Sequence, residues 1–220
     1  MLRVGLTGEL GSGKSTVAQM LADRGAVVLS SDEMAREMMQ RGHPVYGQIV
    51  ERFGKDVVAA DGTLDRRALS AAAFNPQNPR VEELNAIIHP AVIAEQARAV
   101  AEIAKTQPHA IVVIESALIF STQYSRGWRE RFDCVVLVTA PDEVKLERFI
   151  ARIASGKTLS RAEAEALRAD ARQRLLAQRV DFPGDALIRI QNKDGIDELR
   201  LKVDDLWKDL VAEEQSAHNS

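Results

Sequence analysis

The sequence predicts an α/β fold with a parallel sheet, and three observations support this prediction. Short apolar runs alternate with segments of helical periodicity along much of the chain. The first run is followed by a glycine-rich loop, a helix and a second apolar run, which is the order of a βαβ unit with parallel strands. The 220 residues are 45% hydrophobic and 28% charged, as expected of one compact globular domain.

Five apolar runs have the length of buried strands, at residues 2–7, 26–29, 111–114, 135–138 and 186–190. Apolar residues at helical spacing predict helices at 14–24, 32–40, 141–153, 160–179 and 196–212. Ser31 or Asp32 is the predicted N-cap of the helix that follows the second strand. Pro141 is predicted to open a helix, and the polar tail 213–220 is predicted to fray.

Residues 42–106 have a different character. Helical patterns dominate there without a strong strand signal, and turn signals interrupt them at Asp61-Gly62, Asn75-Pro76 and His89-Pro90. This segment is predicted to be a helical insertion within a single domain of residues 1–220. The core of that domain is predicted at about 1–41, 107–143 and 180–212, with a further helical pair at about 144–179.

A phosphate-binding motif occupies residues 8–15, which match G-x-x-x-x-G-K-[ST] at every fixed position. Its glycines let backbone N–H groups point inward, and the helix that follows adds its positive end. Lys14 is predicted to be solvent-accessible and to contact the β- and γ-phosphates, and Ser15 is predicted to be a ligand of Mg²⁺. The sequence therefore predicts a three-layer P-loop NTPase fold that uses ATP and Mg²⁺. The predicted nucleotide-binding residues of this segment are Gly8, Glu9, Leu10, Gly11, Ser12, Gly13, Lys14, Ser15 and Thr16.

Features outside the loop narrow the class of P-loop protein. Asn192-Lys193-Asp194 does not fit the guanine-reading motif of GTPases, because Gly195 stands where that motif has its aspartate. No apolar run ends in the Asp-Glu pair that is typical of AAA-type ATPases. Glu115 ends the third strand run, and it is either a group near the magnesium ion or an ordinary strand-end carboxylate.

Asp32 directly follows the second predicted strand. Ligands of doubly wound sheets bind beyond the carboxyl ends of the strands, so Asp32 is predicted to lie close to the phosphate loop. A carboxylate at that point can accept the proton of a substrate hydroxyl that attacks the γ-phosphate. The alternative is that Asp32 serves only as a helix N-cap.

Basic side chains share one face of each of the two helices between residues 141 and 179. They are Lys145, Arg148 and Arg152 on the first helix, and Arg161, Arg168, Arg172 and Arg179 on the second. Joined at Ser155-Gly156-Lys157, the two faces predict a lid that closes over ATP and brings arginine charge to the transferred phosphoryl group. The alternative is a solvated basic face that pairs with Glu163 and Glu165.

Several segments resemble the dephospho-coenzyme A kinase family over about residues 4–199. The most specific of them is Leu84-Asn85-Ala86-Ile87-Ile88-His89-Pro90. The others are Gly5-Leu6-Thr7-Gly8, Ser31-Asp32-Glu33-Met34-Ala35-Arg36, Phe53-Gly54 and Asp61-Gly62-Thr63-Leu64-Asp65-Arg66-Arg67-Ala68-Leu69. The chain departs from the family's usual glycine, aspartate, proline and glutamate at Glu9, Ser30, Ala117 and Ser121.

The resemblance implies ATP-dependent phosphorylation of the ribose 3′-hydroxyl of dephospho-coenzyme A, the last step of coenzyme A synthesis. It implies a parallel five-stranded sheet with a helical acceptor lobe at 42–106 and a helical lid at 144–179. Asp32 is the implied base or hydroxyl-orienting group, and the implied acceptor-binding residues also include Arg36, Arg66 and His89. From the residues alone, His89 is instead a buried histidine that caps the helix break before Pro90.

The resemblance also assigns residues on the nucleotide side. Arg148 is the implied lid arginine near the phosphates, Arg152 supports it, and Asn192 lies on the adenine side. Lys14 and Arg148 join Asp32 as the predicted catalytic residues. The competing hypotheses are another small-molecule or nucleoside monophosphate kinase of the same architecture, and a nucleotide-switched binding module without acceptor turnover.

Composition argues against several other classes. The formal net charge of −3 does not favour a nucleic-acid partner. No stretch approaches the ~20 consecutive apolar residues of a membrane span, and the N-terminal residues do not resemble a secretory signal. The prediction is a cytoplasmic enzyme with a small-molecule substrate, as a monomer or weak homo-oligomer. Cys134 is predicted to be a small buried residue whose thiol is not reactive. The sequence has no His/Cys cluster with metal-ligand spacing, so a zinc site is not predicted.

Overall fold

The computed structural model describes residues 1–120, 127–154, 160–177 and 187–218. In chain order these residues form β1 (Leu2–Gly8), α1 (Lys14–Ala22), β2 (Val27–Ser30), α2 (Ser31–Met38), α3 (Pro44–Phe53), a 3₁₀ turn (Lys55–Val57), α4 (Arg66–Ala73), α5 (Val81–Thr106), β3 (Ile111–Glu115), α6 (Trp128–Arg131), β4 (Cys134–Thr139), α7 (Asp142–Ala154), α8 (Arg161–Ala177), β5 (Leu187–Gln191) and α9 (Ile196–His218). The five predicted strands are confirmed, with their bounds shifted by at most one residue.

A five-stranded parallel sheet organises the fold. Its strand order is β2-β3-β1-β4-β5, and β1 pairs in parallel with both β3 and β4. The register places Leu6 beside Glu115 and Gly8 beside Val138. The carboxyl end of β3 therefore lies next to the end of β1, where the phosphate loop begins. The predicted α/β fold with a parallel sheet is confirmed.

The chain divides into two compact units. The first consists of Met1–Leu29 and Ile103–Ser220, and the second consists of Ser30–Glu102. In the first unit, apolar side chains of the sheet, α1 and α9 form one core; its fully buried members include Leu6, Leu21, Val113 and Leu210. This burial is the main favourable contribution to the stability of the unit.

The last helix is longer than predicted. It continues to His218, so the prediction of a frayed tail was wrong for the described residues of 213–218. Glu214 is buried, accepts a hydrogen bond from the Met1 amino group at 3.2 Å and lies 3.3 Å from His109 Nδ1. These tertiary contacts hold the last turns of the helix, which the polar composition of the tail does not reveal.

The second unit is helical and has its own apolar core, which includes Ile49, Leu69 and Val92. The predicted helix break at His89-Pro90 was wrong, because α5 continues through Pro90. A proline removes one backbone hydrogen bond, but Ile87, Ile88 and Ala91 on either side of it pack against the core of the unit. Tertiary packing therefore outweighs the local cost of the proline.

The helices α7 and α8 pack on each other through a small cluster of Leu146, Phe149, Ala171 and Leu175. They begin one residue later than predicted, at Asp142 and Arg161. Three predicted features lie outside the described residues: the break at Ser155-Gly156-Lys157, Arg179 and Ser121. Within the residues that the structure describes, no helix is long and apolar enough to cross a membrane.

Cys134 was predicted to be buried; it is partly buried and packs against the core of the first unit. Burial, with nearby Glu213 and Asp133, raises the pKa of its thiol to about 12. The thiol is therefore protonated at neutral pH, and we expect the native protein to react with an aromatic disulfide reagent at pH 8 on the order of 10²-fold more slowly than the protein in guanidinium. Absorbance of the released thiolate measures both rates, and equal rates would contradict a buried, protonated thiol.

Candidate active site

The phosphate loop connects the end of β1 to the start of α1, and neighbouring elements approach its backbone closely. Gly13 has a φ of 94°, and a Cβ atom there would lie 2.1 Å from Asn192 Nδ2. Gly11 has a φ of 74°, and its Cβ atom would lie 2.4 Å from the Lys145 carbonyl oxygen. Only glycine meets both the left-handed backbone and the close approach at these positions. The backbone of the loop therefore packs closely against Asn192 at Gly13 and against Lys145 at Gly11.

Lys14 and Ser15 both contact the carboxylate of Glu115. The Lys14 ammonium lies 2.6 Å from Glu115 Oε1, and the Ser15 hydroxyl donates to the same oxygen at 2.7 Å. The Lys14 side chain is only 13% exposed, so the prediction that it is solvent-accessible was wrong. The parallel register of β1 and β3 puts the carboxylate under the start of α1. Of the two interpretations of Glu115, this contact favours the group beside the predicted magnesium ligand.

The chemistry of this side-chain set fits ATP with a magnesium ion. Mg²⁺ prefers a few oxygen ligands from the protein together with phosphate oxygens and water. Ser15 and Glu115 offer a hydroxyl and a carboxylate that are already in contact, and Lys14 offers a positive charge for phosphate oxygens. The residues present therefore suit the nucleotide and the ion that the sequence predicts.

Arg148 and Asn192 both contact the backbone of the loop at Ser12. Asn192 is buried and its Nδ2 donates to the Ser12 carbonyl oxygen at 2.8 Å. Arg148 donates to Asn192 Oδ1 at 3.1 Å and to the Ser12 carbonyl oxygen at 3.4 Å. The structure therefore brings Arg148 to the loop, and its role beside the phosphates stays a prediction. Asn192 supports the loop backbone, and its contact with adenine stays a prediction.

Lys145 contacts the phosphate loop, and the sequence did not reveal this contact. Its side chain is 5% exposed, and its ammonium contacts Glu9 Oε2 and, at 2.7 Å, Asp142 Oδ1. Burial alone would lower the pKa of Lys145, but its hydrogen bonds to Asp142 and Glu9 outweigh burial and raise that pKa above its usual value. The ammonium is therefore charged. A charged residue at position 9, where the family usually has glycine, was the signal that such a partner exists.

The predicted basic face of the two later helices is largely paired with acids. Arg168 and Arg172 contact the Glu143 carboxylate at 3.1 and 3.6 Å, and Arg161 contacts Glu165 at 3.1 Å. The pairing with Glu165 is the one that the alternative of a solvated basic face predicted.

Glu163, the other acid in that alternative, instead accepts hydrogen bonds from Ser160. Arg152 is exposed and lies over the Phe149 ring at 5.6 Å. Neither observation tests the lid, which stays a prediction.

Asp32 lies in the second unit, in the first turn of α2, with its side chain exposed. The N-cap is neither Ser31 nor Asp32 but Ser30, whose hydroxyl accepts a hydrogen bond from the Glu33 N–H. The alternative that Asp32 is only an N-cap was therefore wrong. Ser31 is buried and its hydroxyl accepts a hydrogen bond from Gln96 at 2.8 Å, which fixes the start of the helix that carries Asp32.

The other predicted acceptor residues also lie in the second unit. Arg36 is exposed one turn after Asp32 on the same helix, and Arg66 is the exposed first residue of α4. His89 is half-buried in the middle of α5, so the alternative of a cap at a helix break was wrong. Burial lowers the pKa of His89, and the nearby Glu82 charge opposes that shift.

The chain is similar to known proteins over most of its length. The family model described as dephospho-CoA kinase matches residues 2–187. A dephospho-CoA kinase of Moorella thermoacetica is 44% identical over 165 residues, which are 75% of this chain and 74% of that protein. A dephospho-CoA kinase of Syntrophus aciditrophicus is 33% identical over 220 residues, which are 100% of this chain and 88% of that protein.

A crystal structure from Thermus thermophilus matches the fold with a TM-score of 0.63 at 29% identity, and the match covers 95% of this chain and 97% of that one. The family match, the two relatives and the shared fold agree with the phosphate loop described above. The chain therefore belongs to the dephospho-CoA kinase family of enzymes.

Proposed function

We propose that this protein transfers the γ-phosphoryl group of ATP to the ribose 3′-hydroxyl of dephospho-coenzyme A. The observation that carries the proposal is the contact of Lys14, Ser15 and Glu115 at the end of β1 in a chain of this family. In the reaction, a bond forms between the ribose 3′-oxygen and the γ-phosphorus, and the bond from that phosphorus to the β,γ-bridging oxygen breaks. The products are coenzyme A, ADP and a proton.

Asp32 is the proposed acceptor of that proton. Its carboxylate is exposed and is not used by the helix as a cap, so it is available to orient and deprotonate a hydroxyl. Arg36 and Arg66 are proposed to bind phosphate groups of the acceptor, because a guanidinium suits phosphate oxygens. His89, whose pKa is lowered by burial, is proposed to bind the acceptor as a neutral hydrogen-bonding group.

Lys14 and Arg148 are the proposed sources of positive charge for the transferred phosphoryl group. The Lys14 ammonium moves from Glu115 towards the β- and γ-phosphates, and Arg148, already beside the loop, faces the same region. Arg152 supports Arg148, and Asn192 contacts the adenine. The remaining loop residues, from Gly8 to Thr16, bind the phosphates mainly through their backbone.

Mg²⁺ is the proposed cofactor, held by the Ser15 hydroxyl and with Glu115 beside it. When bound, the ion neutralises charge on phosphate oxygens. We further propose a single domain with an acceptor lobe at 42–106 and a lid at 144–179, acting in the cytoplasm without a nucleic-acid partner. A monomer or a weak homo-oligomer is the proposed state.

The test is a coupled ADP-release assay with ATP and Mg²⁺, in which dephospho-coenzyme A is compared with AMP, CMP and shikimate as acceptors. Turnover with dephospho-coenzyme A alone is expected. Turnover with a nucleotide or shikimate instead would keep the phosphate-loop assignment and overturn the acceptor. ATP binding without turnover on any acceptor would favour the nucleotide-switched binding module.

A further inference from the structure

Three consecutive residues of the phosphate loop contact α7 or the apolar cluster between α7 and α8. The Glu9 carboxylate pairs with the Lys145 ammonium, and Leu10 packs against the cluster that includes Leu146. Gly11 approaches the carbonyl oxygen of the same Lys145 so closely that a Cβ atom would overlap it. The loop therefore meets this pair of helices through an ion pair, an apolar contact and a backbone contact, and two of the three involve Lys145.

The charge of Glu9 is unfavourable for the task of the loop. A loop that binds a triphosphate concentrates positive potential from N–H groups, a helix N-terminus and a lysine. A carboxylate in the second position of that loop repels the same phosphates, and its effect is strong where solvent is partly excluded. The Glu9 side chain is only 20% exposed, so solvent screens its charge weakly.

Lys145 is placed to remove that repulsion. Its side chain is 5% exposed, and its ammonium lies between Glu9 and Asp142. A buried ion pair that loses one partner leaves an uncompensated charge, whereas a pair removed as a whole often costs little. Lys145 keeps Asp142 as a partner when Glu9 is replaced, whereas Glu9 is expected to lose its compensating charge when Lys145 is replaced.

We propose that Lys145 is a positioning residue for nucleotide binding, which neutralises the Glu9 carboxylate and turns it away from the phosphates so that an acidic phosphate loop accepts ATP. This inference rests on the proposed function, because it assumes that ATP binds the loop. It explains why a loop with glutamate in place of glycine coexists with a buried lysine on a helix 136 positions later.

The test compares ATP binding by isothermal titration calorimetry, without acceptor, in wild type and in Lys145→Met, Glu9→Gln and the double variant. Lys145→Met is expected to weaken ATP binding at least about tenfold, because it leaves Glu9 unpaired beside the phosphates. Glu9→Gln is expected to bind a few-fold more tightly, because it removes a negative charge. The double variant is expected to recover most of the tenfold loss.

Lys208→Met is the matched control, because Lys208 also pairs with an aspartate three residues before it but is exposed on α9. Its ATP affinity is expected to equal that of wild type. Affinity of Lys145→Met like that of wild type overturns the inference, as does a double variant as weak as Lys145→Met, which would indicate a purely structural role. If Lys145→Met does not fold, the ATP affinity of Glu9→Gln is compared with that of the double variant instead. A tenfold weaker affinity of the double variant overturns the inference. Wild type that does not bind ATP refutes the proposed function itself.

Discussion

Replacing Asp32 with asparagine is expected to lower kcat by about 10²–10⁴-fold, the usual contribution of a positioned general base. Asparagine has nearly the same shape but cannot accept a proton. The side chain is exposed and does not cap the helix, so the free energy of unfolding is expected to change by less than about 0.5 kcal/mol. ATP binding is expected to be retained.

Steady-state kinetics with dephospho-coenzyme A measure the loss, and calorimetry without acceptor measures ATP binding. Glu33→Gln is the matched control, because Glu33 is the neighbouring acid in the same first turn and is also exposed. Its kcat is expected to equal that of wild type. Near-native turnover of Asp32→Asn would show that another group takes the proton.

Replacing Lys14 with methionine is expected to reduce kcat/KM by about 10²–10³-fold, because the phosphates lose a positioned charge. The contact with Glu115 adds a second effect. Among the residues that the structure describes, the carboxylate then keeps the Ser15 hydroxyl as its one side-chain partner. The free energy of unfolding without ligand is therefore expected to fall by about 1–3 kcal/mol. Lys14 is therefore expected to contribute to folding as well as to catalysis, contrary to what a solvent-accessible lysine would do.

The double variant Lys14→Met/Glu115→Gln separates the two effects. It is expected to recover most of the stability, because no carboxylate is left unpaired, but none of the activity. Urea unfolding measures stability, and the ADP-release assay measures turnover. A stable Lys14→Met protein would contradict the structural role of the ion pair, and a double variant that regains turnover would contradict the role of Lys14 with the phosphates.

The five strands and the longer helices of the first unit were predictable because their signals are local, whereas the short α6 was not predicted. A run of apolar residues bounded by glycines is a strand signal within a few positions, and the loop pattern of residues 8–15 is contiguous. The same local rules failed at Pro90, where the packing of neighbouring side chains decides. They also failed at the tail, where a buried Glu214 holds the last helix.

The inner contacts of the candidate site were not predictable in the same way. Glu9 pairs with Lys145 over 136 positions, and Ser12 binds Asn192 over 180 positions. No periodicity or spacing relates residues so far apart; only the fold brings them together. The sequence and its family resemblance therefore identified the loop and named Arg148 and Asn192, but they did not reveal the contacts that Asn192 and Lys145 make with the loop.

The separation of the loop from its supports has a consequence for how the protein is made. Residues 8–15 leave the ribosome before Glu115, Lys145 and Asn192, which follow about one to two hundred residues later. Translation adds ~5–20 residues per second, so the delay lasts seconds or longer. A nascent chain that ends before Asn192 has the complete motif without the side chain that holds Ser12. If the loop needs that contact to bind ATP, we expect ATP to favour the native state only after Asn192 has emerged.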